Sequence, residues 1–163
     1  MAFQKQVKQT QALGSAGQIS KAFHNYCNTF SAIAGDDKIC VGCFVQAGAK
    51  DGEVKGASGQ AITGTGKILG VVVKDHYISS ETETHIYREG DNVTILNAGN
   101  IFIKAEVNAS QGQYVFLKND NGALAFDDTN TLENHTYTGF RVSKGNAAPD
   151  TANGIIEITT ANA

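Results

Sequence analysis

The sequence predicts an all-β protein, a sandwich or jelly-roll-like barrel of about eight strands behind an extended N-terminal arm. Three observations carry this. Short runs of β-branched and aromatic residues recur at near-regular spacing, turn-forming Gly, Asn and Asp separate them, and no long stretch has the apolar period of an amphipathic helix. Glycine accounts for 18 of 163 residues and proline for one, which suits strands joined by tight turns better than long solvent-facing helices.

Residues 1–20 are expected as an arm and residues 21–163 as a single β domain. In the arm, Phe3, Val7 and Leu13 are isolated among Gln, Lys and Thr, and Gly14-Ser15-Ala16-Gly17 follows. Such a segment cannot bury itself and must lie on its own domain, on a neighbour, or stay mobile. The first strand is expected over Ile39–Val45 and the next over Ile68–Val73, with the glycine-rich stretch 52–66 between them read as turns and loop. Val93–Leu96 and Ile101–Val107 flank Asn97-Ala98-Gly99-Asn100, which reads as a hairpin. Gln113–Leu117 and Leu124–Phe126 flank Asn121-Gly122, a pair suited to the type I′ turn because both central residues need positive φ. Tyr137–Val142 and Ile155–Thr159 close the chain, with Pro149 and Asn153-Gly154 between them.

Composition narrows the function classes. The net charge is −3, with 13 Lys and Arg against 16 Asp and Glu, so no basic groove for nucleic acid is expected. The opening residues contain no apolar run resembling a signal peptide, and no stretch approaches the length of a membrane span. Neither a membrane nor a nucleic acid is therefore expected as a partner. Three cysteines without a secretory signal are expected to be reduced thiols.

Candidate chemical groups are few. His24-x2-Cys27 and Cys40-x2-Cys43 have the ligand types of a structural zinc site. However, residues i and i+3 of a strand face opposite ways, so Cys40 and Cys43 converge only if Val41-Gly42 makes a knuckle. Ile39, Val41, Phe44 and Val45 around them look like core, and the favoured reading is buried thiols with no metal. Gly64-Thr65-Gly66-Lys67-Ile68 lacks the glycine spacing and the Ser or Thr of a phosphate loop and reads as a turn entering a strand. His24, His76, His85 and His135 are scattered, nucleophile signatures are absent, and Asp36-Asp37 and Asp127-Asp128 read as turn acids. No catalytic group and no cofactor are expected.

The ordered motifs carry a resemblance. Met1-Ala2-Phe3-Gln4-x-Gln6-Val7 and Gly14-Ser15-Ala16-Gly17 open the chain; Val41-Gly42-Cys43-Phe44-Val45 and Gly66-Lys67-Ile68-Leu69-Gly70-Val71-Val72 follow. Then come Glu89-Gly90-Asp91-Asn92-Val93-Thr94-Ile95, Ala98-Gly99-Asn100-Ile101-Phe102-Ile103-Lys104, and Gly112-Gln113-Tyr114-Val115-Phe116 with Asn121-Gly122-Ala123-Leu124-Ala125-Phe126. In this order the set resembles the structural cement, or head decoration, proteins of tailed bacteriophages. The histidine–cysteine set is outside that pattern, the tryptophan expected near Phe102 is absent, and residues 20–35 and 75–88 match nothing in it.

The resemblance implies a small β-protein of the virion, made in the bacterial cytoplasm. It would bind the outer face of the capsid, bridge neighbouring copies of the major capsid protein, and assemble as a dimer or trimer. The residues expected at capsid or subunit contacts are Phe3, Gln4, Gln6, Val7 and Leu13 of the arm, with Tyr77 and Tyr87. The competing reading is a phage tail, baseplate or glycan-binding β-module, suggested by the polar, aromatic-bearing stretch His76–Tyr87.

Overall fold

Alternation along the strands places consecutive side chains on opposite faces, and here both faces of several strands are buried. The computed structural model describes residues 14–20, 27–62, 67–74, 86–146 and 154–160. Within these the chain is all-β, in twelve strands: β1 (Asn28–Ala34), β2 (Ile39–Cys40), β3 (Phe44–Ala47), β4 (Glu53–Gly56), β5 (Ile68–Val72), β6 (Ile86–Tyr87), β7 (Asn92–Ala98), β8 (Asn100–Lys104), β9 (Tyr114–Lys118), β10 (Leu124–Asp127), β11 (His135–Lys144) and β12 (Ile155–Thr159). Strands β1-β4-β3-β5-β7 close into a small barrel, β10-β9-β11-β12-β8 form an open sheet, and β2 with β6 makes a two-stranded ribbon.

Two cores result. The barrel interior holds Ala32, Ala34, Val45, Val54, Val72, Val93 and Ile95, with Ile39 and Tyr87 of the ribbon packed against them. On one side, the outer barrel face presents Phe44, Val71 and Leu96 to the inner face of the open sheet, where Ile101, Ile103, Val115, Leu117, Phe140, Val142, Ile156 and Ile158 meet them. Phe44 and Phe140 cross this second core edge to face, with ring centroids 5.8 Å apart. The uninterrupted apolar run of β5 follows: Val71 serves the space between the layers and Val72 the barrel interior.

The expected class is present, but four details differ. The single strand expected over Ile39–Val45 is broken at Val41-Gly42, where φ of Gly42 is +75°. Strands β1 and β4 were not expected, β4 lying within the glycine-rich stretch read as loop. The hairpin expected around Asn97–Asn100 does not form: β7 belongs to the barrel and β8 to the open sheet, and Gly99, at φ +129°, carries the chain between them. The β9–β10 hairpin does form, but Lys118 pairs with Ala123 across a longer turn in which only Gly122 has positive φ, so it is not type I′.

Residues 14–20 run as a strap along the outer edge of β8. Gly17 and Ser20 donate to the Phe102 and Asn100 carbonyls at 2.8 and 3.0 Å, and Phe102 donates to Gln18 at 3.0 Å. The Gly17 carbonyl accepts from Lys74 at 2.8 Å, which ties the strap to the chain leaving β5. A sheet edge that would offer unpaired backbone groups is thereby covered.

Asp36 is expected to matter more than a turn acid usually does. Its carboxylate accepts from the Lys38 amide at 3.1 Å and from the buried Gly56 amide at 3.3 Å, joining the β1–β2 turn to the end of β4. Asp36→Ala leaves the Gly56 N–H unsatisfied and is expected to cost about 1–2 kcal/mol, read as a fall of roughly 5 °C in Tm by thermal unfolding.

Candidate functional site

Among the described residues, the outer face of the open sheet carries the most distinctive surface chemistry. With Val115 and Leu117 directed inward, β9 turns Tyr114 and Phe116 outward, where they meet Tyr137 and Arg141 from β11. Register sets a continuous row across all five strands, Asp127–Tyr114–Arg141–Thr159–Asn100.

A bulge sharpens the cluster. Four residue steps on β11, from Tyr137 to Arg141, span the two steps on β9 from Phe116 to Tyr114. Gly139 has φ +86° there, and the buried Thr138 hydroxyl donates to the Val115 carbonyl at 2.8 Å where the ladder is interrupted. Tyr137 and Arg141 are thus both drawn towards Tyr114. The Tyr114 and Tyr137 rings meet edge on at 5.4 Å, and Phe116 lies 5.6 Å from Tyr137. The Arg141 guanidinium stands 4.1 Å from the Tyr114 ring centroid and donates to its hydroxyl. Phe116 is 1% exposed beneath these groups while Tyr137 is 39% exposed above them. At the end of the row, the Thr129 hydroxyl and amide both donate to the Asp127 carboxylate and hold its pKa below the ordinary value, so this acid is ionised at neutral pH.

The other half of the face is closed. Phe102 is buried, and Gly14 rests on its ring so closely that a Cβ there would come within 2.4 Å of it. Glu157 is 1% exposed although it lies on this outward side. One of its carboxylate oxygens accepts from Asn100 Nδ2 at 3.0 Å, and the other lies 3.6 Å from Lys144 Nζ. Thr159 donates to Asn100 Oδ1 at 2.7 Å and completes the polar network. The face therefore has a covered, hydrogen-bonded half and an open aromatic–cationic half, and Tyr and Arg are the residue types enriched at protein interfaces.

Most of the contact residues expected from sequence, Phe3, Gln4, Gln6, Val7, Leu13 and Tyr77, lie outside the described residues. Tyr87, the one expected contact residue that is described, pairs with Ile39 in the ribbon, and its ring packs with the barrel core at 5% exposure beside Ile86, which is outward at 56%. Of the zinc set, His24 lies outside the described residues, Cys27 is exposed rather than buried, and this structure joins Cys40 and Cys43 in a disulfide where separate buried thiols were expected. The Val41-Gly42 knuckle is what brings them together. No group of three His, Cys, Asp or Glu side chains suited to a metal ion occurs among the described residues. The glycine loop at 63–66 and most of the stretch His76–Tyr87 also lie outside them.

The aromatic face was missed in the sequence, where two signals bear on it. Tyr-Val-Phe-Leu in β9 is apolar at both parities, which requires a cover on each side of the strand. Glycine within Tyr-Thr-Gly-Phe-Arg-Val marks a bulge.

Comparison with known proteins completes the picture. Residues 3–161 match the family described as structural cement protein (E217 gp24/Pam3 gp6). A chain in the solved structure titled "The capsid of Myoviridae Phage XM1" is similar over 98% of both chains, with a TM-score of 0.66 and 17% sequence identity, a likeness that establishes the shared fold. No curated protein sequence gives a significant match. With the family match spanning nearly its whole length, the chain belongs to the structural cement protein family, structural components of the phage capsid.

Proposed function

We propose that this protein binds the outer surface of the phage head and bridges neighbouring major capsid subunits, stabilising the shell through contacts at its rim. The observation that carries this reading is the open aromatic–cationic half of a sheet face whose other half is closed. An anchor of two tyrosines and an arginine over a buried phenylalanine suits protein recognition, and no substrate pocket is needed for it. The protein acts as a binder and not as an enzyme, engages neither nucleic acid nor membrane, and works as a dimer or trimer.

The energetics are those of linkage. A ligand that binds the assembled shell, and not its open or ruptured form, stabilises the shell by mass action. Many copies act together, so modest affinity at each site suffices. The arm supplies the second contact, with Phe3, Val7 and Leu13 as apolar anchors spaced by hydrogen-bonding Gln4 and Gln6.

Reconstitution tests this. Purified protein added to expanded heads that lack it is expected to saturate at a fixed copy number and to raise the temperature at which the heads rupture. Deleting residues 2–13 is expected to leave thermal unfolding of the isolated body unchanged while weakening head binding about tenfold or more. Failure of the full chain to bind heads would refute the bridging role, and wild-type occupancy by the truncated chain would remove the arm from it.

A further inference from the structure

Cys40 and Cys43 are joined across a turn whose third residue is Gly42, with their Cα atoms 5.4 Å apart. The Cys43 amide closes the turn on the Cys40 carbonyl at 3.1 Å, and the Gly42 amide donates to the Val72 carbonyl at 2.9 Å. Against this turn sits the strap. A Cβ on Gly42 would stand 2.8 Å from both the Ala16 Cβ and the Gly17 nitrogen, and one on Gly17 would stand 2.3 Å from Val41 Cγ1. Turn and strap therefore meet with no room between them. Gly17 also bonds to Phe102 and Lys74, so this one residue links the cysteine turn to β8 and to the end of β5.

We propose that Cys40 and Cys43 form a redox latch. They are a dithiol while the protein is made and assembled in the reducing host cytoplasm and a disulfide in the released particle, and closure fixes the seat of the strap. This goes beyond the cement reading, and the mechanical half of it does not depend on that reading. The oxidant is a low-molecular-weight disulfide. One cysteine thiolate attacks a sulfur of that disulfide, expelling a small thiolate and leaving a mixed disulfide on the protein. The second cysteine, as thiolate, attacks the protein-bound sulfur and expels the second small thiolate. The Cys40–Cys43 bond forms, two electrons pass to the small disulfide, and the two thiol protons end on the small thiols. Both cysteines are half-buried rather than sealed in the core. Gly42 and the backbone bonds hold the two sulfurs adjacent and favour the intramolecular second step.

Two measurements test the latch. Maleimide labelling of the denatured chain, after acid quenching, is expected to find three thiols per chain from host lysate and one, Cys27, from purified virions. Hydrogen exchange on the isolated protein, poised with reduced or oxidised glutathione, reads the strap directly and needs no capsid. The Gly17 and Ser20 amides are expected to exchange about tenfold faster in the reduced form, with the β9 and β11 amides unchanged. The double variant Cys40→Ser, Cys43→Ser is expected to exchange at the reduced rate under both conditions. Three thiols in virions would overturn the timing, and equal strap exchange in the two redox states would overturn the latch itself.

Discussion

Tyr137→Ala is expected to weaken binding to expanded heads by about 2 kcal/mol, roughly 30-fold in Kd, while leaving the protein folded. The ring sits at the top of the outer-face cluster, 39% exposed, and packs on Tyr114 and Phe116. Within the fold its removal forfeits two aromatic contacts and partly uncovers Phe116, which is expected to cost about 1 kcal/mol and roughly 3 °C in Tm. At an interface the same ring is a desolvated anchor, so the loss in binding exceeds the loss in stability. Tyr137→Phe keeps the ring and separates area from hydroxyl; it is expected to retain most of the affinity. Arg141→Met removes the guanidinium from the Tyr114 ring while keeping an apolar stem. The two sites share Tyr114, so a double-mutant cycle on Tyr137 and Arg141 is expected to show coupling rather than additivity. Bound and free protein separated by sedimentation of heads gives the numbers, and wild-type occupancy by Tyr137→Ala would exclude this face from the contact.

How much of this was legible follows from which interactions are local. Turn chemistry announced the β9–β10 hairpin, because Asn121-Gly122 acts within a few residues, although the turn itself proved longer than two. The barrel was not legible. It closes through a parallel pairing of Ile33 and Ala34 with Glu53 and Val54, a contact between strands that no hairpin joins. Strand β1 was hidden for a related reason: Asn28, Thr29 and Ser31 are exposed, so its composition resembles a loop. Gly99 looked like a turn residue, and its conformation does change the chain's direction, but into a second sheet rather than back along the first. The polar residues before Tyr87 gave no sign that its ring packs on the barrel core; the ribbon pairing with Ile39 turns it there. The aromatic face failed to stand out because a strand apolar on both faces reads as doubly buried, and only the three-dimensional cover shows which side is open.

The largest effect on the body itself is expected at Gly70. This glycine lies in β5 beside a bulge, where Val45 pairs with Gly70 but the next residue of β3, Gln46, pairs with Ile68. Its φ is +154°, and a Cβ would stand 2.2 Å from the Leu96 carbonyl oxygen and 2.8 Å from Ile95 Cγ2. Backbone strain and overpacking therefore act together at Gly70→Ala. The obstructing oxygen belongs to the backbone of β7, which is itself part of the barrel, so it cannot swing aside as a long side chain would. The expected cost is about 4 kcal/mol, a fall of roughly 12 °C in Tm. Gly90 provides the control, since its φ is +90° but nothing lies within 4 Å of a Cβ added there. Gly90→Ala is expected to cost only about 1 kcal/mol, from the backbone alone. If thermal unfolding showed the two variants equally mild, the close approach of β5 to β7 would be refuted. With it would go the account of how β5 serves both cores, since that approach sets Val71 towards the open sheet and Val72 into the barrel. The aromatic face depends on the same geometry at one remove: Tyr114 and Phe116 are turned outward only because Val115 and Leu117 are held inward by the packing of barrel against sheet.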